Sequence, residues 1–310
     1  KVVGVNSFNC IDSSYITISV NPLPNLNIIG SNNICEGDTA SLIVNGASSY
    51  IWSPANGLNT TNGSLVLATP SMSQSYIVTG TDVNSCVSSV SHSITVLSNP
   101  SIFISASNDT ICKGDISLLT AGGATSYTWQ AHPSLSTNTG TTTSVNPINN
   151  TIYSVTGKAA NNCSSIAFKE IIVNPLPLLD VNYNTAIICQ DSSLFLEVSG
   201  AMDYIWSPAL GLNTTIGNLV VAQPYTSTIY SVTGIDSNNC SDVISTNISV
   251  NPKPILTLSP TSANVCQGAD ILIEAFGALS YSWNPSFGLS STSTSSVIAS
   301  PSSSVNYTIT

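Results

Sequence analysis

The sequence is poor in charged side chains. They make up 6% of its 310 residues, against roughly a quarter in an ordinary globular protein. Arginine is absent, and the five lysines are scattered as Lys1, Lys113, Lys158, Lys169 and Lys253. Phosphate binding depends on clustered Lys and Arg, so this distribution and the net charge of −10 argue against nucleic acid as a partner. The same scarcity disfavours an anionic membrane surface.

Long apolar runs and histidines are also scarce. No run approaches the ~18 apolar residues of a membrane span, so we expect no membrane insertion. The only histidines are His92 and His132, and the acids Glu170, Glu197 and Glu274 are scattered. Catalysis needs acids, bases or nucleophiles that converge. We therefore predict that the chain is not an enzyme and that it carries no cofactor.

The sequence is dominated by a repeat of 77 residues. Fixed repeats of this kind are sought first, because they decide the architecture. Two aromatic series keep the period, namely Trp52, Trp129, Trp206, Trp283 and Tyr76, Tyr153, Tyr230, Tyr307. Two cysteine series follow it at 76 or 77 residues, namely Cys35, Cys112, Cys189, Cys266 and Cys10, Cys86, Cys163, Cys240.

Each repeat shows strand and turn patterns without a helical stripe. Apolar residues recur at every second position at Ala40, Leu42 and Val44, which is the period of a half-buried strand. A Gly-Ala pair follows, and its glycine is expected to adopt a backbone angle that a Cβ would forbid. These glycines are Gly46, Gly123, Gly200 and Gly277.

Seven or so short strands fit into each repeat, with a Trp on the third and a Tyr opening the sixth. This pattern predicts an all-β fold of tandem immunoglobulin-like β-sandwich modules, arranged as an elongated rod. We interpret the repeated tryptophans and tyrosines as core residues. The alternative is that the tryptophans form a platform for a ligand.

Proline-rich linkers divide the chain. The Asn-Pro-x-Pro motif occurs at 21–24, 174–177 and 251–254, and such prolines favour an extended, semi-rigid joint. We predict module 1 at 21–97, module 2 at 98–173, module 3 at 174–250 and module 4 at 251–310. Residues 1–20 are predicted to be the last turn and strand of a preceding module. Module 4 is predicted to lack its last strand, and we expect the sequence to be a window cut from a longer chain.

Three motifs connect the chain with a known group of proteins. They are Tyr-x-Trp-Ser-Pro at 50–54, Tyr-x-Val-Thr-Gly-x-Asp-x-Asn-x-Cys at 76–86, and Asn-Pro-x-Pro. With these motifs the whole chain resembles the PKD-like and immunoglobulin-like repeats of giant surface proteins in gliding and predatory Bacteroidota. The resemblance implies type IX secretion, cell-surface display, and adhesion or filament formation. Module 2 departs from the motifs at Gln130, Ala131 and Ala159.

Eight regularly spaced cysteines without partner histidines or acids indicate disulfides formed in an oxidising compartment. Cys35 falls at the first turn of its module and Cys86 at the last. In a Greek-key sandwich these turns lie about 25–30 Å apart, whereas a disulfide tolerates a Cα separation of only about 7 Å. A Cys35–Cys86 bridge within one module is therefore awkward.

Three pairing schemes stay open. The preferred scheme joins neighbouring modules through Cys35–Cys163 and Cys112–Cys240. The linker can instead fold into a hairpin that pairs Cys10 with Cys35 and Cys86 with Cys112, and the third scheme is the bridge within a module. In the preferred scheme the partners of four cysteines are uncertain or lie outside the sequence, and these are Cys10, Cys86, Cys189 and Cys266.

Metal binding is poorly supported by the sequence. No Cys-x-x-Cys motif occurs, and the two histidines stand at different places in their repeats. Asp-rich turns favour calcium binding. However, the turn position that holds Asp82 and Asp236 in two modules holds Ala159 in module 2. We expect these aspartates to cap turns through Asx-turn hydrogen bonds.

These patterns predict a structural repeat region of a very large extracellular protein at the cell surface. It would form a rod, or a multi-chain filament if modules associate side by side or head to tail, used for adhesion or for attachment to cells or prey. The expected partner is a further copy of the chain, with a surface or glycan ligand unidentified. The alternative functions are a carbohydrate-binding array, in which the tryptophans stack on sugars, and an accessory region of a secreted enzyme.

Overall fold

The computed structural model describes residues 1–310 and consists of β-strands and turns. The chain divides into two units, Lys1–Asn174 and Pro175–Thr310. None of its elements is a helix able to cross a bilayer. The all-β fold class predicted from the repeat is confirmed.

The first unit begins with a hairpin. Strand β1 spans Val2–Val5 and pairs antiparallel with β2, Ile11–Ser14. Its turn is held by Asn6 Oδ1, which accepts hydrogen bonds from the backbone N–H of Phe8 (2.9 Å) and of Cys10 (3.0 Å). The apolar side chains of this hairpin are exposed.

Module 1 is a sandwich of two sheets. Its strands are β3 (Asn27–Ile29), β4 (Asn33–Cys35), β5 (Ala40–Asn45), β6 (Ser49–Ser53), β7 (Leu65–Ala68), β8 (Gln74–Thr81) and β9 (Val87–Leu97). One sheet has the order β3-β5-β7 and the other β4-β9-β8-β6. The second sheet contains the C-F-G strands of an immunoglobulin-like fold, and the first contains A-B-E.

Modules 2 and 3 repeat this topology. The strands of module 2 are β10 (Phe103–Ala106), β11 (Thr110–Cys112), β12 (Ser117–Gly122), β13 (Ser126–Trp129), β14 (Thr142–Val145), β15 (Thr151–Lys158) and β16 (Ser164–Asn174). Those of module 3 are β17 (Asp180–Val181), β18 (Thr185–Cys189), β19 (Leu194–Ser199), β20 (Asp203–Ser207), β21 (Leu219–Ala222), β22 (Thr228–Ile235) and β23 (Ser241–Asn251). Their sheets have the orders β10-β12-β14 with β11-β16-β15-β13, and β17-β19-β21 with β18-β23-β22-β20.

Module 4 has five strands, β24 (Thr257–Ser259), β25 (Ile271–Phe276), β26 (Trp283–Asn284), β27 (Ser296–Ala299) and β28 (Thr308–Ile309). Its sheets are β24-β25-β27 and the two-stranded β26-β28. It therefore has no counterpart of β4 or of β9.

Strand alternation produces the core. Along β5 buried and exposed residues alternate strictly, with Ala40, Leu42 and Val44 turned inward at 0–2% exposure. Each side chain that faces inward meets the opposite sheet, so every module has its own hydrophobic cluster. The predicted half-buried strand is confirmed.

The first strand of the module is broken in two. After β3 the chain crosses to the other sheet, where β4 pairs parallel with β9, Asn33 opposite Thr95 and Cys35 opposite Leu97. Gly30 stands at the crossing, where a Cβ would lie 2.5 Å from Leu42 Cδ2. The prediction of Trp on the third strand is therefore wrong, because this crossing adds a strand and Trp52 lies on the fourth.

The Gly-Ala turn requires glycine. Gly46 has a φ of 105°, and a Cβ at this position would lie 1.9 Å from the carbonyl oxygen of Asn25. Gly200 has a φ of 102° and the corresponding approach to Leu178 O is 1.8 Å. No L side chain fits there, which confirms the predicted role of these glycines.

Candidate functional site: the joint between modules

The four repeated tryptophans are buried in the hydrophobic cores of the modules. Trp52, Trp129 and Trp206 are each 2% exposed and Trp283 is 3% exposed. Each indole Nε1–H donates to a backbone carbonyl eleven residues later, to Gly63, Gly140, Gly217 and Thr294 at 2.9–3.0 Å. Because the indole N–H of each ring is hydrogen-bonded within its own module, the whole ring can pack in the hydrophobic core of that module.

The tyrosines of the sixth strand fix a loop to the same core. Tyr76 OH donates to Asn56 O and Tyr230 OH to Leu210 O, both at 2.7 Å. Burial raises the pKa of the Tyr76, Tyr153 and Tyr230 phenols above the ordinary value of 10.0. Tyr307 makes the equivalent bond to Phe287 O but is only half-buried. Its prediction as a core residue is corrected to that extent, because no strand corresponding to β9 covers module 4.

The structure joins Cys35 to Cys163 by a disulfide across the joint of modules 1 and 2. Cys35 ends β4 of module 1, and Cys163 stands in the turn just before β16 of module 2. Their Cα atoms are 5.6 Å apart, within the range that a disulfide spans. This is the pairing of the preferred scheme.

The rival pairings of Cys35 and Cys86 are absent. Cys35 lies opposite Leu97 at one end of β9, and Cys86 precedes the other end of this strand of 11 residues. At ~3.3 Å per residue the two cysteines are separated by about 36 Å. The structure leaves Cys86, Cys10, Cys189 and Cys266 as free thiols, the last three of them exposed. Cys112 and Cys240 are disulfide-bonded.

Two asparagines connect the modules at the same joint. Asn161 Nδ2 of module 2 donates to Ser98 O at 3.0 Å, and Asn99 Nδ2 donates to Glu36 O of module 1 at 2.9 Å. Sequence analysis did not find this pair. Asn99 is not part of an Asn-Pro-x-Pro motif, so no sequence pattern marked it. For Asn161, the one sequence feature that could have indicated a role was the Asn-rich turn before Cys163.

Asn161 also positions the bridging cysteine. Its Oδ1 accepts a hydrogen bond from the backbone N–H of Cys163 at 3.0 Å, while its Nδ2 reaches the linker. Cys163 is 1% exposed, so the turn, the disulfide and the linker form one packed contact. One side chain thus couples the turn of module 2 to the linker that follows β9 of module 1.

The joint of modules 3 and 4 uses other groups. The Oε1 of Gln190 in module 3 accepts a hydrogen bond from the backbone N–H of Lys253 in the linker at 3.3 Å. Asp191 and Lys253 form an ion pair at 2.7 Å, with side chains 55% and 59% exposed. Ion pairs as exposed as this one contribute little to the free energy of unfolding.

The aspartates of the last turn serve as caps. Asp82 Oδ1 accepts from the N–H of Asn84 and Cys86 at 2.8 and 2.9 Å, and Asp236 does the same for Asn238 and Cys240. Their predicted Asx-turn role is confirmed. No group of three or more His, Cys, Asp or Glu side chains is placed to hold a metal ion.

The sheets and the bridge define the class of protein. The chain is a tandem array of immunoglobulin-like sandwiches, of which modules 1 and 2 are joined by a disulfide. No protein-family model and no curated protein matches it.

Solved structures give a distant likeness. The N-terminal eight Ig domains of Down Syndrome Cell Adhesion Molecule isoform 1.30.30 have a TM-score of 0.37 and 13% identity over 90% of this chain. The chain spans only 45% of that structure. An I-band fragment of titin has a TM-score of 0.36 and 11% identity, covering 75% of this chain and 100% of the fragment. A Ca²⁺-stabilized adhesin that helps an Antarctic bacterium bind ice has a TM-score of 0.30 and 14% identity, covering 94% and 98%. The assignment of the fold depends on the sheet topology described above.

Proposed function

We propose that the chain is a spacer region of a very large extracellular surface protein, in which rigidly joined modules hold an adhesive or attachment function away from the cell. The observation that carries this proposal is the Cys35–Cys163 bridge. A disulfide between modules restricts their relative movement. A spacer needs this restriction, whereas an independent binding module does not. The repeat motifs support secretion by the type IX route of Bacteroidota.

The proposal includes a second bridge, Cys112–Cys240, at the joint of modules 2 and 3. Both cysteines occupy the positions that Cys35 and Cys163 hold one module earlier in the sequence. Mass mapping of a non-reduced digest tests it, with a Cys112–Cys240 peptide pair as the expected product. A Cys112–Cys86 pair would contradict it.

Solution scattering tests the spacer role. A compact particle of this length has a radius of gyration of about 19 Å. Modules of about 35–40 Å stacked end to end give a value at least twice as large. A value near that of the compact particle would end the proposal.

A multi-chain filament is a second candidate, favoured by apolar side chains on the outer faces of the sandwiches. On the first sheet of module 1, Ile43, Leu65 and Leu67 are 42–52% exposed, and Ile43 lies opposite Leu65. In module 3, Phe195 and Leu219 are 62% and 50% exposed. The strands of this sheet of module 1 carry no charged residue, so lateral packing of that face costs little desolvation; in module 3 the carboxylate of Glu197 lies opposite Leu219 on the same face.

Electron microscopy and sedimentation distinguish the two candidates. The filament predicts lateral bundles that an Ile43→Thr, Leu65→Thr double variant weakens, with Ser41→Thr on the same strand as the control. Single rods unaffected by the double variant favour the simple spacer.

A role of the tryptophans in stacking on sugars is disfavoured by their burial at 2–3% exposure.

A further inference from the structure

The outer face of the second sheet of module 2 carries large apolar side chains. Along β16 the outward positions hold Ile166, Phe168 and Ile172, which are 59%, 69% and 42% exposed. On the neighbouring strand β15, Ile152 is 65% exposed and lies opposite Glu170, two residues from Phe168. We call these four apolar side chains the module 2 patch.

The fold does not require this patch. Modules 1 and 3 have the same sheet order, yet their last strands hold mostly small polar side chains at the positions equivalent to Ile166, Phe168 and Ile172. In module 1 these residues are Ser89, Ser91 and Thr95, and in module 3 they are Val243, Ser245 and Ser249. A contiguous apolar surface rimmed by polar residues marks an interaction site. The patch therefore indicates a contact that is specific to module 2.

One charge of each sign stands on the same face, at opposite ends of the patch. Lys158 lies opposite Ser164, and Glu170 lies opposite Ile152. These two pairs are separated by six residues along the strands, which corresponds to about 20 Å. The only other charged residue of this sheet, Lys169, is turned inward. Lys158 and Glu170 are exposed, and neither has an ion-pair partner within the chain.

This arrangement of charges is complementary to itself. We propose that the module 2 patch binds the same patch of a second copy of the chain, about a two-fold axis that lies between the faces and runs across the strands. Such an axis exchanges the two ends of the face, so that Lys158 of each copy meets Glu170 of the other. It also places Phe168 of each copy on Ile166 of the other, and every contact occurs twice, as in other two-fold interfaces.

The size of the face sets the strength of this contact. Four strands about 4.8 Å apart and about 20 Å long give a face of roughly 400 Å². Interfaces of this small size belong to weak, reversible complexes. We therefore expect a dimer that forms and dissociates reversibly and is populated at high protein concentration. The contact is distinct from lateral packing of the first sheets, because it uses the opposite face of the sandwich.

Sedimentation equilibrium of the 310-residue chain tests the apolar part of the contact. The free thiols are alkylated first, so that copies cannot be joined through sulfur. We expect a monomer–dimer equilibrium that Phe168→Ser weakens by more than about tenfold, since each dimer loses two buried rings. Modules 1 and 3 carry serine at this position, so the variant should fold. Phe195→Ser is the matched control, because it removes a ring that is 62% exposed on the first sheet of module 3.

Charge reversal tests the two-fold geometry. Lys158→Glu and Glu170→Lys each place like charges opposite one another twice, so each variant alone should dimerise about tenfold more weakly or worse. In an equimolar mixture of the two variants, both contacts again join opposite charges. We therefore expect the mixture to form heterodimers with an affinity close to that of the original chain. A partner other than a second copy, or unspecific apolar association, does not produce this rescue.

Three results would overturn the inference. They are a chain that stays monomeric up to the millimolar range, a dimer that Phe168→Ser leaves unchanged, and a mixture of the two charge variants that associates no better than either alone. The Ile43→Thr, Leu65→Thr double variant should keep the dimer, and its loss would assign the contact to the first sheet instead. Each of these results leaves the proposed spacer role intact, because that role depends on the joint within the chain.

Discussion

The buried tryptophan of each module combines a large apolar ring with one internal hydrogen bond. Trp206 lies on β20 against the cluster of module 3 and donates to Gly217 O at 3.0 Å. Removing it leaves both a cavity and an unsatisfied carbonyl. This residue therefore contributes more to its module than any exposed strand residue does.

We expect Trp206→Ala to destabilise module 3 by about 3–5 kcal/mol and Trp206→Phe to cost less, since most of the ring volume stays. Hydrogen-exchange mass spectrometry measures the effect module by module. Protection should fall in the peptides of module 3 and stay unchanged in module 1, whose core cluster is its own. An equal loss of protection in Trp206→Ala and Trp206→Phe would contradict the explanation by cavity size.

The buried tyrosines predict a stability loss in alkaline solution. Unfolded phenols ionise near pH 10, while burial raises the pKa of Tyr76, Tyr153 and Tyr230 in the folded chain. Above pH 10 the folded state thus holds more protons than the unfolded state, so stability falls as pH rises and is unaffected below. Between the unfolded and the folded pKa of a tyrosine, the slope is at most about 1.4 kcal/mol per pH unit.

Phenolate absorbance during an alkaline titration measures this. Of the eleven tyrosines, these three should ionise late, together with unfolding, and Tyr230→Phe should make module 3 less sensitive to alkali. Ionisation of all phenols near pH 10 in a chain that stays folded would contradict the expectation.

At the scale of the element, the turn before the last strand is stabilised by a single carboxylate. Asp236 Oδ1 accepts two backbone N–H groups, at 2.8 Å each, immediately before β23. Module 2 has Ala159 at this place, and Asn161 Oδ1 takes over the bond to Cys163. The turn therefore needs an acceptor, whichever residue supplies it.

We expect Asp236→Ala to destabilise this turn by about 1–2 kcal/mol, since two N–H groups lose their partner. Asp236→Asn is the matched control, because it keeps the Oδ1 acceptor. Amide exchange of Asn238 and Cys240 by NMR measures the change. Equal exchange in the two variants would show that the side chain does not hold the turn.

The alternation of β5 and the period of the tryptophans allowed the two-sheet fold to be predicted, because both patterns are local to one strand or one repeat. The parallel pairing of β4 with β9 was not predictable in this way, since Cys35 and Leu97 lie far apart in sequence and no pattern marks their contact. The contacts of Asn99 and Asn161 were missed for a related reason. They depend on how two folded modules meet.

At the scale of the whole molecule, the Cys35–Cys163 bridge ties two modules that each fold on their own core. A bridge across a separation of 128 residues restricts the unfolded chain by about 4–5 kcal/mol on the entropic model. Reduction should accordingly loosen the joint and leave both sandwiches folded.

We expect Cys35→Ser to speed proteolysis of the linker at residues 97–101, with the hydrogen exchange of the cores of modules 1 and 2 retained. Cys86→Ser is the control, since its thiol is free and proteolysis should not change. Limited digestion with a non-specific protease measures the rates, because the five lysines offer few tryptic sites. Identical rates for the two variants would mean that the bridge does not fix the joint.

The position of that bridge has a mechanical consequence. When the chain is pulled from its two ends, tension that reaches Cys35 passes through sulfur to Cys163 and re-enters the backbone there. The polypeptide between these cysteines, which includes most strands of both sandwiches, lies outside the path of force. Stretching can therefore pull only on β3 and β4 of module 1 and on β16 of module 2, while the strands between the two cysteines carry no load until the S–S bond is broken.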